Sequence, residues 1–185
     1  MKMKTLLLIS LIFFSIPQFS FCQDQISLYK AAFQYIISDT SKDIKRTFQS
    51  ELNEKNTFVG NVLTRLDRSM FGREIATFEY GLTDLKEISE FADSLFYLGD
   101  MGDTLYFTDY NKINPENSEK TFKIYFSKIN NNQLSANVIY YDIKYKAKRR
   151  NYKETMWSAI SWVDYYFYFN KKGQIFKVFT GSGCQ

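Results

Sequence analysis

The feature that most constrains the fold is a pair of aromatic and β-branched runs near the end of the chain. The runs cover 162–169 and 175–179, and the polar loop between them contains Gly173. Two such runs on either side of a short loop with glycine are typical of a β-hairpin. We therefore predict that Gly173 adopts the left-handed conformation after a type I turn and that Phe169 pairs with Ile175.

This pairing divides the side chains of the hairpin between two faces. Because alternate residues of a strand point to opposite sides, one face holds the predicted core residues Val163, Tyr165, Phe167, Phe169, Ile175 and Phe179. The opposite face holds Trp162, Asp164, Tyr166, Tyr168, Phe176, Val178 and Thr180. This second face is too apolar to be left in water, so we expect it to be covered by another element or to bind a ligand.

The start of the chain has the pattern of an export signal. Lys2 and Lys4 precede an apolar stretch at 6–16, and a positive region followed by an apolar one is typical of a signal peptide. The stretch is too short to cross a bilayer, because a transmembrane helix needs about 20 residues. We therefore predict an exported protein, periplasmic or secreted, with no transmembrane segment in the mature chain.

The cleavage site decides what becomes of the first cysteine. Small residues at Ser20 and Cys22 favour cleavage after Cys22, which predicts a signal peptide at 1–22 and a single domain at 23–185. The alternative is a lipoprotein that is cut before Cys22 and anchored through it. Simple cleavage leaves Cys184 as the only cysteine, and this excludes an internal disulfide bond.

Charge and residue counts exclude several classes of function. The chain has 24 basic and 20 acidic residues, and removal of the signal peptide lowers its net charge from +4 to +2, because that segment holds two lysines and no acid. This is not the profile of a nucleic-acid-binding protein. The chain has no histidine, the commonest general base and zinc ligand, and no glycine-rich nucleotide motif. We therefore predict no nucleic-acid partner, metal or cofactor, and we assign no catalytic residue.

Helical spacing dominates the first half of the predicted mature chain. Apolar residues recurring every three or four positions predict helices at 26–37, at 44–52, at 59–70 and from a cap at Thr83 or Asp84 to about 95. In the last of these helices we expect a buried stripe made of Leu85, Ile88, Phe91, Ala92 and Leu95.

Strand patterns dominate the second half. A short strand at 104–108 precedes a hairpin in which 122–126 and 134–140 alternate apolar and polar residues. Their apolar residues share one face only if the loop between them has an odd length, so we predict a three-residue loop at 130–132 with a left-handed asparagine. The whole pattern predicts an α+β fold, with N-terminal helices packed on a C-terminal antiparallel sheet of four to five strands.

A basic run lies between the two predicted hairpins. It contains Lys146, Lys148, Arg149 and Arg150 within ten residues that alternate in part with apolar ones. One interpretation is a solvated edge strand or loop, because lysine on an edge strand hinders pairing with another chain. The alternative is a binding site for an anionic partner, either an acidic protein surface or a phosphorylated lipid headgroup.

Two hypotheses about function remain open. The first is an exported, non-enzymatic binding or interaction module that uses the basic run and the second face of the closing hairpin, with candidate residues Trp162, Asp164, Tyr166 and Tyr168. The second is a small pocket enzyme, a hydrolase or isomerase, that uses carboxylate and tyrosine groups from the same face. A deep pocket with a buried carboxylate favours the enzyme, and a flat exposed aromatic patch favours binding.

Three parts of the chain also carry a resemblance to known proteins. The helical N-terminal half, the Leu66-Asp67-Arg68 stretch and the closing YFYFNKKGQIFKVF hairpin resemble small exported proteins of unknown function from Gram-negative bacteria of the Bacteroidota type. This resemblance implies export and a compact α+β fold, and it assigns no functional residue. The order of helices followed by an aromatic sheet is also similar to the cystatin-like cone of the nuclear transport factor 2 superfamily. Its members often use a His/Asp pair that this chain cannot supply.

Overall fold

A computed structural model describes residues 25–41, 44, 47–48, 52–98, 105–114, 122–140 and 161–184. Its elements, in chain order, are α1 (Gln25–Ser38), β1 (Thr57–Thr64), a 3-10 turn (Ser69–Phe71), α2 (Gly72–Tyr80), α3 (Leu85–Leu98), β2 (Leu105–Tyr106), a second 3-10 turn (Tyr110–Lys112), β3 (Phe122–Ser127), β4 (Gln133–Tyr140), β5 (Ser161–Phe169) and β6 (Ile175–Cys184). The predicted α+β class is confirmed. The predicted signal peptide and Cys22 lie outside the described residues.

The strands form one mixed sheet of six, in the order β2-β1-β3-β4-β5-β6. Neighbouring strands are antiparallel except β1 and β3, which are parallel. Parallel neighbours need a long crossover connection, and α2 and α3 lie in the connection from β1 to β3. The prediction of an entirely antiparallel sheet with four or five strands is therefore wrong.

The strand β1 lies where we predicted a helix at 59–70. Its first four residues are all buried, because Val59 packs in the main core and its neighbour Gly60 lies against the Tyr125 ring on the other face. A strand that is covered on both faces shows no apolar–polar alternation. Its apolar residues at Val59, Val62 and Leu63 happen to match helical spacing, so the spacing alone predicted the wrong element.

The main core lies between α1 and one face of the sheet. The helix predicted at 26–37 is confirmed as α1, and its buried residues are Leu28, Tyr29, Ala32, Phe33 and Ile36. The Tyr29 ring lies 5.4 Å from that of Phe126 on β3. Ile44, Phe48 and Leu52, the predicted stripe of the second helix, are buried in the same core.

The closing hairpin has the predicted turn. Gly173 has a φ angle of 74°, its N–H donates to the carbonyl of Asn170, and Phe169 pairs with Ile175. A positive φ is strained for residues other than glycine, so the turn type follows from this one residue.

Beyond the turn, the pairing of β5 with β6 shifts by one residue. The shift lies between Tyr168 and Phe169, and it pairs Phe167 with Val178, one residue later than predicted. Because side chains alternate between faces, this bulge reverses the faces predicted for the residues of β6 that follow it. Val178 packs against the main core, and Phe179 packs on the second face.

The apolar residues of β3 and β4 share one face, as predicted, but the turn between the two strands differs from the predicted one. Asn131 and Asn132 are both left-handed, with φ angles of 48° and 59°, and they form a two-residue turn. The regular pairing of β3 with β4 ends at Phe126 and Ala136. One residue closer to the turn, the Ser127 hydroxyl accepts a hydrogen bond from the backbone N–H of Ser135. The left-handed asparagine is confirmed, and the three-residue loop is wrong.

The helices α2 and α3 form a pair on the opposite side of the sheet from α1. They approach closely at Gly72, where an added Cβ would lie 2.7 Å from the backbone of Ala92. Of the two predicted caps, Thr83 and Asp84, it is Asp84 that caps α3, because its carboxylate accepts hydrogen bonds from the N–H groups of Lys86 and Glu87. The buried stripe predicted for α3 is wrong: Leu85 is 83% exposed, and the others are only half-buried, namely Ile88, Phe91, Ala92 and Leu95. Within the described parts of the chain, no helix is long and apolar enough to cross a bilayer.

Candidate functional site

The second face of the sheet, the one turned away from α1, carries all four candidate residues of the closing hairpin. They alternate along β5 and pair with residues of β4: Trp162 with Ile139, Asp164 with Asn137, Tyr166 with Ser135, and Tyr168 with Gln133. The prediction that these residues share a face is therefore correct in its geometry. The structure nevertheless places them in different environments along the row.

The two tyrosines of the row belong to a closed hydrogen-bond network. Tyr168 Oη donates to Glu79 Oε1 over 2.8 Å, and Tyr166 Oη donates to Gln133 Oε1 over 2.8 Å. Gln133 Nε2 in turn donates to Glu79 Oε1 over 2.9 Å, and Arg68 forms an ion pair with the other oxygen of Glu79. Glu79 is on α2, so the network fastens this helix to β4 and β5.

Burial makes these tyrosines unsuitable as bases at neutral pH. Desolvation raises the pKa of Tyr166 and of Tyr168 above the ordinary value of 10, and the hydrogen bond from Tyr168 to Glu79 raises the pKa of that phenol further. Both hydroxyls therefore stay protonated and donate hydrogen bonds.

The covering element of this face is the 3-10 turn together with α2. Phe71 and Ile75 pack against Tyr166 and Tyr168 in one apolar cluster, with Phe179 at its border. The expected cover is thus supplied by the chain itself over the middle of the face. We missed α2 in the sequence because Gly72, Ile75 and Ala76 are its only buried residues, too few to produce a clear apolar stripe.

Asp164 occupies a different environment on the same row. Its Oδ1 accepts a hydrogen bond of 2.6 Å from Asn137 Nδ2. Burial raises the pKa of Asp164 from 3.8 to about 6, against the effect of the hydrogen bond from Asn137 and with a smaller contribution from the charge of Asp67. Asn137 Oδ1 is buried and has no hydrogen-bond partner in the described part of the chain.

Trp162 ends the row with its indole lying flat across β6. A Cβ at Gly183 would lie 2.3 Å from the indole carbon Cζ2, so only glycine fits beneath the ring. Trp162 also packs beside the buried pair Tyr125 and Ile139, and Lys123 Nζ lies 4.7 Å from the centre of the Tyr125 ring. This end of the face is therefore closely packed around aromatic rings.

At the other end of the face, two phenyl rings remain partly in water. Phe78 of α2 is 44% exposed and Phe176 of β6 is 56% exposed, and their ring centres lie 6.3 Å apart. Lys177 Nζ lies 5.8 Å from the Phe78 ring, close enough for a cation–π contact. We call Phe78, Phe176 and Lys177 the aromatic patch. Tyr168 lies beneath it, with its ring centre 5.0 Å from that of Phe78.

Only part of the aromatic patch was accessible from the sequence. We placed Phe176 on this face from the hairpin pattern, but Phe78 lies on α2, which the sequence did not predict. Lys177 reaches the patch because the bulge in the closing hairpin moves its side chain to the second face.

A cleft of about 180 Å³ lies on the other side of the sheet, between α1 and the β1–β2 edge. Its lining residues are Gln25, Ile26, Tyr29, Leu63, Tyr106, Phe107, Thr108 and Asp109. None of the four candidate residues lines it, and its one carboxylate, Asp109, pairs with Lys112 over 2.6 Å. Among the described residues, no group of three or more acidic or cysteine side chains is placed to hold a metal ion.

The remaining candidate residues belong to the basic run. Lys146, Lys148, Arg149 and Arg150 lie outside the described residues. Their predicted role in binding an anionic partner therefore stays a prediction.

No family model, curated protein or solved structure matches this chain. The resemblances to exported Bacteroidota-type proteins and to the cystatin-like superfamily stay predictions from the sequence.

Proposed function

We propose that the chain is a non-enzymatic module that binds another protein through the aromatic patch. The observation that carries this proposal is the pair of adjacent phenyl rings, Phe78 and Phe176, held in contact on the surface with a lysine beside them. Aromatic side chains are enriched at protein interfaces, where they supply much of the binding energy. The patch lies on fixed elements, so little conformational freedom is lost when a partner packs on it.

The state of the neighbouring hydroxyls also favours binding over catalysis. Tyr166 and Tyr168 donate hydrogen bonds to Gln133 and Glu79, and burial raises the pKa of both phenols. These hydrogen bonds hold α2, the helix that carries Phe78, in place. The buried network therefore supports the aromatic patch, and the partner contacts the exposed rings of Phe78 and Phe176.

We further propose that the module works in the periplasm or at the cell surface. The support is the basic and apolar pattern of Lys2, Lys4 and the stretch at 6–16. A lipid anchor at Cys22 is the alternative to simple cleavage. Mass spectrometry of the mature protein distinguishes the two, because a lipid chain adds mass to an N-terminal cysteine.

Crosslinking in cells tests the proposed surface. A photoreactive phenylalanine analogue at Phe176 is expected to form a discrete adduct with another protein, and Phe78→Ser in the same chain is expected to weaken that adduct. The matched control places the analogue at Tyr106, which is 66% exposed on the opposite edge of the sheet. Absence of an adduct at position 176, or the same adducts at both positions, would overturn the proposal.

A second candidate function, a small pocket hydrolase or isomerase, is favoured by Asp164. Burial raises its pKa to about 6, within the range in which a carboxyl acts as a general acid or base near neutral pH. Hydrolysis of simple p-nitrophenyl esters and phosphates by the wild type tests this candidate. Turnover that is lost in Asp164→Asn and that changes with pH near 6 would favour the enzyme over the binding module.

A further inference from the structure

We propose that the partner binds as an additional strand along β6, and that the bound segment is an extended, acidic stretch of a protein. This inference rests on the proposed function, because the aromatic patch includes two residues of the same strand. β6 is an edge strand: among the described residues it pairs with β5 alone. Its free edge offers backbone N–H and C=O groups to another extended chain.

The length of β6 makes this edge suitable for pairing. It spans ten residues, Ile175–Cys184, whereas strands in globular proteins are typically about 5–6 residues long. A long exposed edge is normally protected by charges, prolines or bulges. In β6 such features occur only near the start, where the bulge lies opposite Tyr168 and Lys177 carries the single charge.

The rest of the strand has no such protection. From Val178 to Cys184 the pairing with β5 is regular, and this part contains no charged residue and no proline. Thr180 and Ser182, the exposed positions here, are small. Within 178–184 of β6, neither a charged side chain nor a proline therefore opposes the pairing of an incoming backbone.

The charges around β6 indicate the chemistry of the partner. The turn before it carries Lys171 and Lys172, the strand carries Lys177, and no acidic residue occurs at 165–184. An extended segment with carboxylates near this end complements the three lysines. A second copy of β6 would bring the same lysines and no acid, so charge favours an acidic partner over self-pairing.

The aromatic patch adds side-chain selectivity to the backbone pairing. In strand addition, main-chain hydrogen bonds provide affinity, and alternate side chains provide specificity. Phe176 and Lys177 are adjacent in β6, and both contact Phe78. A bound segment with an apolar residue and an acidic residue at this end therefore finds a ring and an ammonium group within reach.

Binding of a synthetic peptide tests the charge requirement. The probe is a capped ten-residue peptide that alternates Val or Phe with Asp or Thr, and its control has every Asp replaced by Lys. We expect the acidic peptide to bind at least about tenfold more tightly than the basic one, as measured by fluorescence anisotropy. Lys177→Glu is expected to reduce or reverse this preference, whereas Lys55→Glu, the same charge change at another exposed site, should leave it unchanged.

N-methylated peptides test the strand geometry. One version carries methyl groups on its odd-numbered amides, and the other carries them on its even-numbered amides. Only alternate amides of an added strand face the neighbouring strand, so one version should lose at least about tenfold in affinity while the other still binds. Equal binding of the two versions would overturn strand addition.

Three outcomes separate this inference from the proposed function. If neither peptide binds but the crosslink at Phe176 persists, strand addition by an acidic segment is wrong and the binding surface stands. If Phe78→Ser leaves the crosslink unchanged, the surface itself is wrong. If light scattering shows a dimer that Ser182→Lys disrupts, the occupant of the edge is a second copy, and the acidic partner is overturned.

Discussion

The two faces of the sheet use neighbouring residues of the same strand in different ways. Phe167 of β5 lies on the main-core face, where its ring centre is 5.6 Å from that of Tyr35 on α1, and it is fully buried. Tyr168, the next residue, lies on the second face beneath Phe78 and Phe176, which remain partly in water. The first face is mainly apolar, and the hydroxyls of its Tyr29 and Tyr165 donate separately to Ser127 and Asp39. The second face combines aromatic rings with a hydrogen-bond network around Glu79.

This difference shows how one sheet can provide both stability and an exposed surface. Apolar burial is not directional, so the main core can form from residues of the right size and pattern. Each buried hydroxyl on the second face needs a partner in a particular place. Gln133 of β4 accepts from Tyr166, and Glu79 of α2 accepts from Tyr168 and from Gln133. The network therefore sets the position of α2, and with it the position of Phe78 on the surface.

The largest expected effect comes from the main core. Phe167→Ala should lower the free energy of unfolding by about 3–5 kcal/mol, because it leaves a cavity in a fully packed site. Phe176→Ala is the matched change on the exposed patch and should cost less than about 1 kcal/mol. Urea unfolding of both variants measures the comparison, and a similar loss in each would show that the patch is part of the core.

Removal of Glu79 should have the next largest effect. Glu79→Ala leaves the Tyr168 hydroxyl, Gln133 and the Arg68 guanidinium without their shared acceptor, which should lower the free energy of unfolding by about 2–4 kcal/mol. Glu90→Ala is the control, since the ion pair of Glu90 with Lys86 is exposed, and it should change stability by about 0.5 kcal/mol or less. If the two variants lose equal stability, the network does not fix α2.

The smallest effect concerns the pH dependence contributed by Asp164. Its pKa is raised from 3.8 to about 6 in the folded protein, so the folded state binds this proton more tightly than the unfolded state. The resulting stabilisation is complete below pH 3.8 and is lost as the pH rises through 6. As the pH rises from 3.8 to above 6, the free energy of unfolding of the wild type should fall by about 1–3 kcal/mol relative to that of Asp164→Asn.

Unfolding of both proteins at a series of pH values measures this difference. At neutral pH the amide of Asp164→Asn carries no charge to desolvate, and it can donate a hydrogen bond to Asn137 Oδ1. The variant should therefore be the more stable protein above pH 6. Asp109→Asn, which changes a surface ion pair, is the control and should show no such crossover. If the free energies of unfolding of the wild type and Asp164→Asn differ by the same amount at every pH, the folded protein does not bury the charged carboxylate of Asp164.

Much of the local structure could be predicted from the sequence. Gly173 specified the turn of the closing hairpin, Asp84 specified the start of α3, and the spacing of apolar residues specified α1. Each of these features depends on residues within a few positions of one another. The row of candidate residues on β5 was predictable for the same reason, because side chains alternate along any strand.

The candidate site was predictable only in part. The sequence placed Tyr166 and Tyr168 on one face, but it did not show that their hydroxyls are held by Gln133 and Glu79. Glu79 precedes Tyr168 by 89 positions, and α2 has too few buried residues to be recognised from its own pattern.

What the sequence determined by itself was therefore the set of short-range elements: turns, caps and the alternation within each strand. Only the tertiary structure decided that 57–64 is a strand, because its identity depends on being inserted between β2 and β3. The tertiary structure also decided where the closing hairpin shifts register, which moves Lys177 and Phe179 onto the second face. Local patterns depend on neighbours in the chain, whereas pairing and register depend on which distant surfaces must be buried together.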